Sequence, residues 1–268
     1  MSRRVLTLQS LGKMGRFGNQ LFQLCTGLAL AKELNAELRI PGDWPGYGLF
    51  NLRLPPIDFS PAMRTRGDYL PTAEDLDRYG SIDLFGFWQF QEAVSLYSAA
   101  DARRWLSLQD WVIDRFPLPT SRPFVAIHIR RGDYLSPRNA TRYYCITRES
   151  YYRCLREQVL PAYPATGALD IVEVSDDTPR IDDHCESIGA GFLPDFMTLV
   201  NASTLIRSNS TFSFWAGVLS GNPVYAPVID EQVGLSDVAF VAGNHPRFAH
   251  PRRFPNFRHT DLHVCGVE

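Results

Sequence analysis

Short β-branched or apolar runs alternate with stretches of helical periodicity along most of this chain, which confines it to α/β folds built on parallel sheets. Val5 to Gln9 reads as a strand, and a glycine-rich turn follows from Gly12 to Gly18. Gln20 to Leu34 reads as a helix, because Leu21, Leu24, Cys25, Leu28 and Ala31 recur at spacings of three and four. Glu37 to Ile40 returns as a strand and stops at Pro41-Gly42, completing a βαβ opening. Residues 41–80 are rich in Pro, Gly and aromatic residues and show no regular pattern; 82–87 reads as a strand and 99–108 as a helix. Leu118 to Pro123 has the composition of a linker. Beyond it the alternation resumes, with strands at 124–129, 169–174, 204–207 and 224–226 and helices near 148–160, 195–201 and 211–219. The expected architecture is two α/β halves, residues 1–118 and 119–268. Open parallel sheets hold ligands at the carboxyl ends of their strands, so residues just after each strand are the ones to inspect.

The bulk properties exclude several classes. A net charge of −2 supplies no general field for nucleic acid or an acidic membrane. Lys13 and Lys32 are the only lysines among 27 basic residues, so an arginine carries meaning here only through its position. Five scattered cysteines, Cys25, Cys145, Cys154, Cys185 and Cys265, form no CxxC pair, against a disulfide framework or a structural zinc site. No signal peptide follows Met1-Ser2-Arg3-Arg4, and no apolar run approaches the ~18–20 residues of a membrane span. The expected location is the cytoplasm, with at most peripheral contact at the inner face of the membrane.

Four segments carry candidate chemistry. In FVAIHIRRGDY, strand alternation sends Val125, Ile127 and Ile129 to one face and Ala126, His128 and Arg130 to the other. Arg131 turns to the opposite side and Gly132 permits a bend. A guanidinium at this strand end can grip a phosphate and neutralise a departing diphosphate. A structural ion pair, for instance Arg131 with Asp133, is the other reading, and the strand-end placement favours the phosphate. MGRFGNQ (Met14 to Gln20) is neither a dinucleotide GxGxxG nor a Walker loop. It reads as a ligand-approaching turn, in which Gly15, Arg16, Phe17 and Gly18 would bind the donor, or as a plain βα turn; Arg16 and Asn19 are the side chains able to reach a sugar or phosphate. In SNSTFSFWAG, Asn209, Ser210 and Thr211 stand at a helix start, either as an anion site or as ordinary caps, and Phe212, Phe214 and Trp215 read as core. Asp176 and Asp177 of VSDD offer acceptors for a purine edge, or a helix cap. Neither they nor Asp182-Asp183 has the Asp-x-Asp spacing of metal-dependent sugar transferases, so no metal or other cofactor is expected.

These segments, GRFGNQLFQ, GFWQ, HIRRGDY, VSDD and DFMTLVNASTLIRSNSTFSFWAG, occur in the order found in α-1,2-fucosyltransferases of glycosyltransferase family 11, which the sequence resembles from residue 14 to 227. MGRFGNQ is also similar to the opening motif of protein O-fucosyltransferases. The resemblance implies a GT-B-like α/β fold of two Rossmann-like halves with a cleft between them. It implies GDP-β-L-fucose as donor, inversion at the anomeric carbon, no required metal, and a galactose-containing glycan as acceptor. Arg130 would hold the β-phosphate, with Arg131 beside it. His128 and Asp176, with Asp177, would lie near the guanosine. Asn209, Ser210, Thr211 and Phe212 would line the diphosphate and base, while Asn19 and Arg16 would face the fucose and acceptor. Asp133 is the carboxylate nearest the arginine pair in sequence, with the roles of base and of arginine orienter both open. Residues 41–80 and 178–192 match the family poorly.

Other functions remain in view. A protein that binds a GDP-sugar without turnover, or a fucosyltransferase of α-1,6 or protein O-linked type, would use the same motifs. Arg-Gly-Asp-Tyr occurs at Arg66–Tyr69 and Arg131–Tyr134, but adhesion needs an exported protein. The Asn-x-Ser/Thr sites at Asn139, Asn201 and Asn209 read as incidental.

Overall fold

The computed structural model describes residues 4–67, 69–117, 120, 122–136, 145–163, 169–228 and 238–244. Part of the expected linker (Leu118, Pro119 and Ser121), Asp68 of the first Arg-Gly-Asp, Asn139, Cys265 and the tail from 245 lie outside the described residues. The chain divides into unit 1, Met1–Asp114, and unit 2, Arg115–Glu268.

Unit 1 opens as β1 (Val5–Thr7), α1 (Phe17–Glu33) and β2 (Glu37–Arg39), with β1 and β2 parallel. Helix α1 starts three residues before the expected Gln20, because the chain bends at Gly15 (φ 77°) and Arg16 already occupies the N-cap. The region 41–80 has more order than its composition suggests. It contains a 3-10 turn at Pro45–Gly48, β3 (Met63–Arg64) and α2 (Ala73–Tyr79), the last started by a capping box between Thr72 and Asp75. Strand β4 (Ser81–Asp83) completes a parallel sheet of order β2-β1-β4-β3. Three helices follow: α3 (Gln91–Val94), α4 (Ala99–Trp105) and α5 (Asp110–Arg115).

One buried carboxylate ties three of these strands together. Asp83 on β4 accepts from the Thr7 hydroxyl of β1 at 2.9 Å, from the Gln9 N–H at 2.8 Å and from Arg64 Nε of β3 at 2.8 Å. Its side chain has no exposed surface. A buried carboxylate is tolerated only with such partners, and removing it strands the donors that faced it.

Unit 2 is built on β5 (Phe124–Ile129), whose six residues are all buried, as a central parallel strand requires. Val125, Ile127 and Ile129 pack with Tyr151, Cys154 and Leu155 from α6 (Arg148–Cys154) and the wider turn that continues it, Leu155–Val159. The expected helix 148–160 loses α geometry in its second half. Pro161 has no N–H to give to the ladder, and the turns before it open to π and then to 3-10. Next come β6 (Asp170–Ser175), α7 (Asp183–Ser187), α8 (Leu193–Val200), β7 (Thr204–Ile206), α9 (Thr211–Ser220), β8 (Val224–Val228) and β9 (Ala239–Ala242). The sheet order is β6-β5-β7-β8-β9, parallel except for the antiparallel edge pair β8–β9. Strand β9 escaped sequence reading because it is only four residues long and hides only Phe240.

Register decides what meets at the strand ends. Ile129 of β5 pairs with Ser175 of β6, so Arg130 and Asp176 leave the sheet abreast. Ile127 pairs with Ile206 of β7, so Arg207 and Ser208 emerge on the other side of His128. Segments far apart in sequence are thereby delivered to one edge of unit 2.

Replacing Asp83 by Ala should lower unit 1 stability by about 2–6 kcal/mol, from the Thr7 hydroxyl and the Gln9 N–H left stranded at ~1–3 kcal/mol each, Arg64 being exposed enough for water to serve it. Urea denaturation followed by tryptophan fluorescence checks this; a loss below about 0.5 kcal/mol, the range of an ordinary surface change, would contradict the buried-tie reading.

Candidate active site

At the end of β5 the Arg130 guanidinium lies between two carboxylates. Its Nη1 is 2.6 Å from Asp176 Oδ2, its Nη2 donates to Asp133, and its Cζ lies 5.2 Å from the centre of the Tyr134 ring. The Arg131 N–H donates to the other Asp176 oxygen at 2.7 Å, and Arg131 Nε pairs with Asp177 at 3.1 Å. The sequence allowed a pair between Arg131 and Asp133; the structure instead pairs Asp133 with Arg130. The cause is the short 3-10 turn Gly132–Leu135, which folds Asp133 back beneath the preceding arginine. Asp176, expected near a nucleotide base, has both oxygens engaged by the RRGD segment.

Beside it, His128 is almost fully buried, its Nδ1 2.8 Å from Ser208 Oγ. Ser208 Oγ accepts the Ser210 N–H at 3.2 Å and lies 3.3 Å from Ser213 Oγ. Ser210 is the N-cap of α9 and accepts the Phe212 N–H at 3.2 Å, leaving a capped, ten-residue helix start beside His128. Thr211 and Phe212 are half-buried and Asn209 is buried. The Phe212 ring stands 5.7 Å from His128 and 5.1 Å from Phe196, whereas Phe214 and Trp215 belong to the core, as their pattern suggested.

Sequence reading passed over Arg207, Ser208 and Ser213. Arg207 is wholly buried at the end of β7, donates to the Ser208 carbonyl at 2.9 Å and stacks over Phe214. Burial lowers it to about 9, which leaves it a cation at neutral pH. An arginine ending an apolar strand was the available signal, and the arginine-rich composition concealed it.

Desolvation first, and then the charges of Arg130 and Arg207, push His128 down to about 3. The ring is therefore a neutral hydrogen-bonding group between two cations, a polar wall of the site and not a proton carrier at neutral pH.

In unit 1, Gly15 makes the turn before α1, and a Cβ there would stand 2.7 Å from Asn19 and 2.8 Å from Phe87. Asn19 Oδ1 accepts from Gln89 of GFWQ at 2.7 Å, so MGRFGNQ and GFWQ form one local arrangement. Arg16 is exposed; Phe17 and Gly18 lie inside the first helical turn, with Phe17 buried against Phe50 at 6.1 Å.

Among the described residues no group of three or more His, Cys, Asp or Glu side chains is placed to hold a metal ion, and no helix is long and apolar enough to cross a membrane. Asp182 takes a two-pronged grip from Arg115 and caps α7 through the Cys185 N–H at 3.0 Å, and these, the arginine first, lower it to about 2.

Two mixed α/β units with parallel sheets make the fold GT-B-like, and cationic, hydroxyl and helix-start groups gather at strand ends of the second. The sequence profile of glycosyl transferase family 11 matches residues 84–232, more than half of the chain, and the protein belongs to that family. The match takes in GFWQ, HIRRGDY, VSDD and STFSFWAG and leaves MGRFGNQ outside. No curated protein matches the chain. Among solved structures, the NodZ α-1,6-fucosyltransferase co-crystallised with GDP is similar with a TM-score of 0.54 at 14% identity, covering 92% of this chain and 100% of that one. NodZ from Bradyrhizobium gives 0.53 at 13%, with coverage of 92% and 100%. A mutant of Arabidopsis thaliana FUT1 in complex with GDP gives 0.52 at 10%, covering 89% of this chain and 73% of that chain. At these identities the likeness is one of fold.

The pH behaviour of His128 follows from its surroundings. An unfolded imidazole takes a proton near 6.5 and the folded one only near 3. Its contribution to stability is therefore complete above about 6.5 and is lost as pH falls from there toward 3. Nitrogen-15 NMR at about pH 5 should find the His128 ring neutral, where a solvated histidine is mostly protonated; a charged ring at that pH would contradict the assignment.

Proposed function

We propose that the protein is an inverting, metal-independent fucosyltransferase that moves L-fucose from GDP-β-L-fucose to a galactose hydroxyl of a glycan, forming an α-1,2 linkage. The observation that supports it most is the meeting, at one edge of unit 2, of a doubly carboxylate-held arginine with a serine-capped helix start. Both are groups that bind a diphosphate, and they meet in a chain that belongs to glycosyl transferase family 11. GDP is the molecule bound in the similar NodZ and FUT1 structures, which supports a guanosine diphosphate donor. NodZ is an α-1,6 enzyme, so the choice of the galactose 2-hydroxyl rests on the order of the motifs alone.

In this reading the acceptor oxygen attacks the fucose anomeric carbon from the face opposite the diphosphate. The bond from that carbon to the β-phosphate oxygen breaks, and GDP departs with the electron pair. Arg130 and the positive end of the α9 dipole neutralise the developing charge, which is the service a metal gives in other transferases. Neutral His128 supplies a hydrogen bond without adding charge. Asp133, paired with Arg130, orients that arginine, and the base that takes the acceptor proton is not assigned to it.

Arg130→Ala should lower kcat by about 10²–10³ while leaving the circular dichroism spectrum unchanged, and EDTA should leave wild-type turnover unaltered. Near-normal turnover in Arg130→Ala, or loss of activity in EDTA, would contradict the mechanism. Incubation with GDP-fucose and a panel of galactosides, with the linkage read by NMR, tests the acceptor: fucose on the galactose 2-hydroxyl is expected, and fucose on a 6-hydroxyl or on protein would replace the α-1,2 reading.

A further inference from the structure

We infer that Asp176 is a positioning residue: it fixes the Arg130 guanidinium and the Arg131 backbone as one unit, and it serves donor binding through them instead of by reading the nucleotide base. The inference rests on the reading of Arg130 as the diphosphate ligand.

The geometry assigns each carboxylate oxygen one task. Oδ1 accepts the Arg131 N–H at 2.7 Å and Oδ2 accepts Arg130 Nη1 at 2.6 Å. This double contact follows from register, since Ile129 opposite Ser175 leaves the next residue of each strand side by side. Gly132 completes the arrangement. A Cβ at 132 would stand 2.3 Å from Asp176 Oδ2 and 3.0 Å from its Cγ, so the carboxylate occupies the space a side chain there would fill. The same residue has a φ of 22°, a conformation that L side chains rarely adopt. The glycine of Arg-Arg-Gly-Asp is thus required by an aspartate just past the end of a different strand.

The guanidinium is restrained from three directions: Asp176 at one Nη, Asp133 at the other and the Tyr134 ring over its face. Among the described residues two of its five N–H donors are thereby engaged, and the other three can serve an anion. An arginine that reaches its ligand in a fixed rotamer loses less freedom on binding and meets the diphosphate in one orientation. Two acidic neighbours also weaken the local positive field, so this arrangement exchanges raw attraction for geometry. That gives the inference a sign. Neutralising Asp176 makes the site more positive, and a purely electrostatic role would tighten GDP binding. A positioning role requires the opposite.

Calorimetric titration of GDP, IDP and ADP into wild type, Asp176→Asn, Arg130→Ala and the double variant tests it. IDP lacks only the exocyclic amine of guanine. Asp176→Asn should weaken GDP by about 10- to 100-fold, the scale of a misplaced binding group, and should weaken IDP and ADP by the same factor. In the Arg130→Ala background it should add no more than about twofold, because the two residues act as one unit. Unchanged or tighter GDP binding, a full additional loss in the double variant, or a collapse of the preference for GDP over IDP would each overturn the inference, the last in favour of base reading.

Amide exchange keeps the inference separable from the functional reading. Asp176→Ala should speed exchange at the Arg131 N–H, whereas Asp176→Asn, which keeps an acceptor oxygen, should protect it better than the alanine does. Unchanged exchange in Asp176→Ala means that the restraint does not exist, whatever the protein binds. Faster exchange in Asp176→Ala, together with a wild type that binds no guanosine diphosphate, means that the restraint is real and the donor assignment is wrong.

Discussion

Everything proposed for unit 2 depends on the parallel register of β5, β6 and β7. Parallel strands end at one edge, and Ile129 opposite Ser175 with Ile127 opposite Ile206 fixes which residues emerge there together. A slip of one residue between β5 and β6 would exchange the sheet faces of one strand and separate Arg130 from Asp176. The buried face of β5 opposes such a slip, because Val125, Ile127 and Ile129 pack against Tyr151 and its neighbours. Hydrophobic packing on one side of the sheet therefore sets the electrostatics of the other end.

The cations at that edge are matched by carboxylates: Arg130, Arg131 and Arg207 lie with Asp133, Asp176 and Asp177. Arg130 shares two carboxylates, while Arg207 lies wholly buried beneath, donating to the Ser208 carbonyl and covering Phe214. Between them His128 stays neutral, since burial and both cations disfavour its charged form. The combination suits an anion that acquires charge as it leaves: fixed dipoles and cations are in place beforehand and little has to reorganise when the bond breaks.

Local pattern carried much of this into the sequence. The six residues of β5 form an apolar run broken only by His128 and end at a polar cluster, so strand and site were both legible; α9 was legible from its serine and threonine start. What could not be read was long-range. Nothing in VSDD says that its first aspartate will meet the backbone of Arg131, because that contact is a property of strand register. The burial of Arg207 was hidden for the same reason, its surroundings coming from β5 and α9. In unit 1 the capping box at Thr72 lay inside a segment whose proline and glycine content masked it, and α1 began early because the turn is complete at Gly15, inside the stretch read as turn to Gly18. The family became visible through motif order, and its linkage did not, because residues 41–80 match the family poorly.

A crystal structure of the protein with GDP addresses the central claim most directly. The account predicts the β-phosphate within hydrogen-bonding distance of the Arg130 guanidinium and of the N–H groups that open α9, with Asp176 still bound to Arg131. A diphosphate bound away from that edge of unit 2, or one whose guanine is held by Asp176, would contradict it.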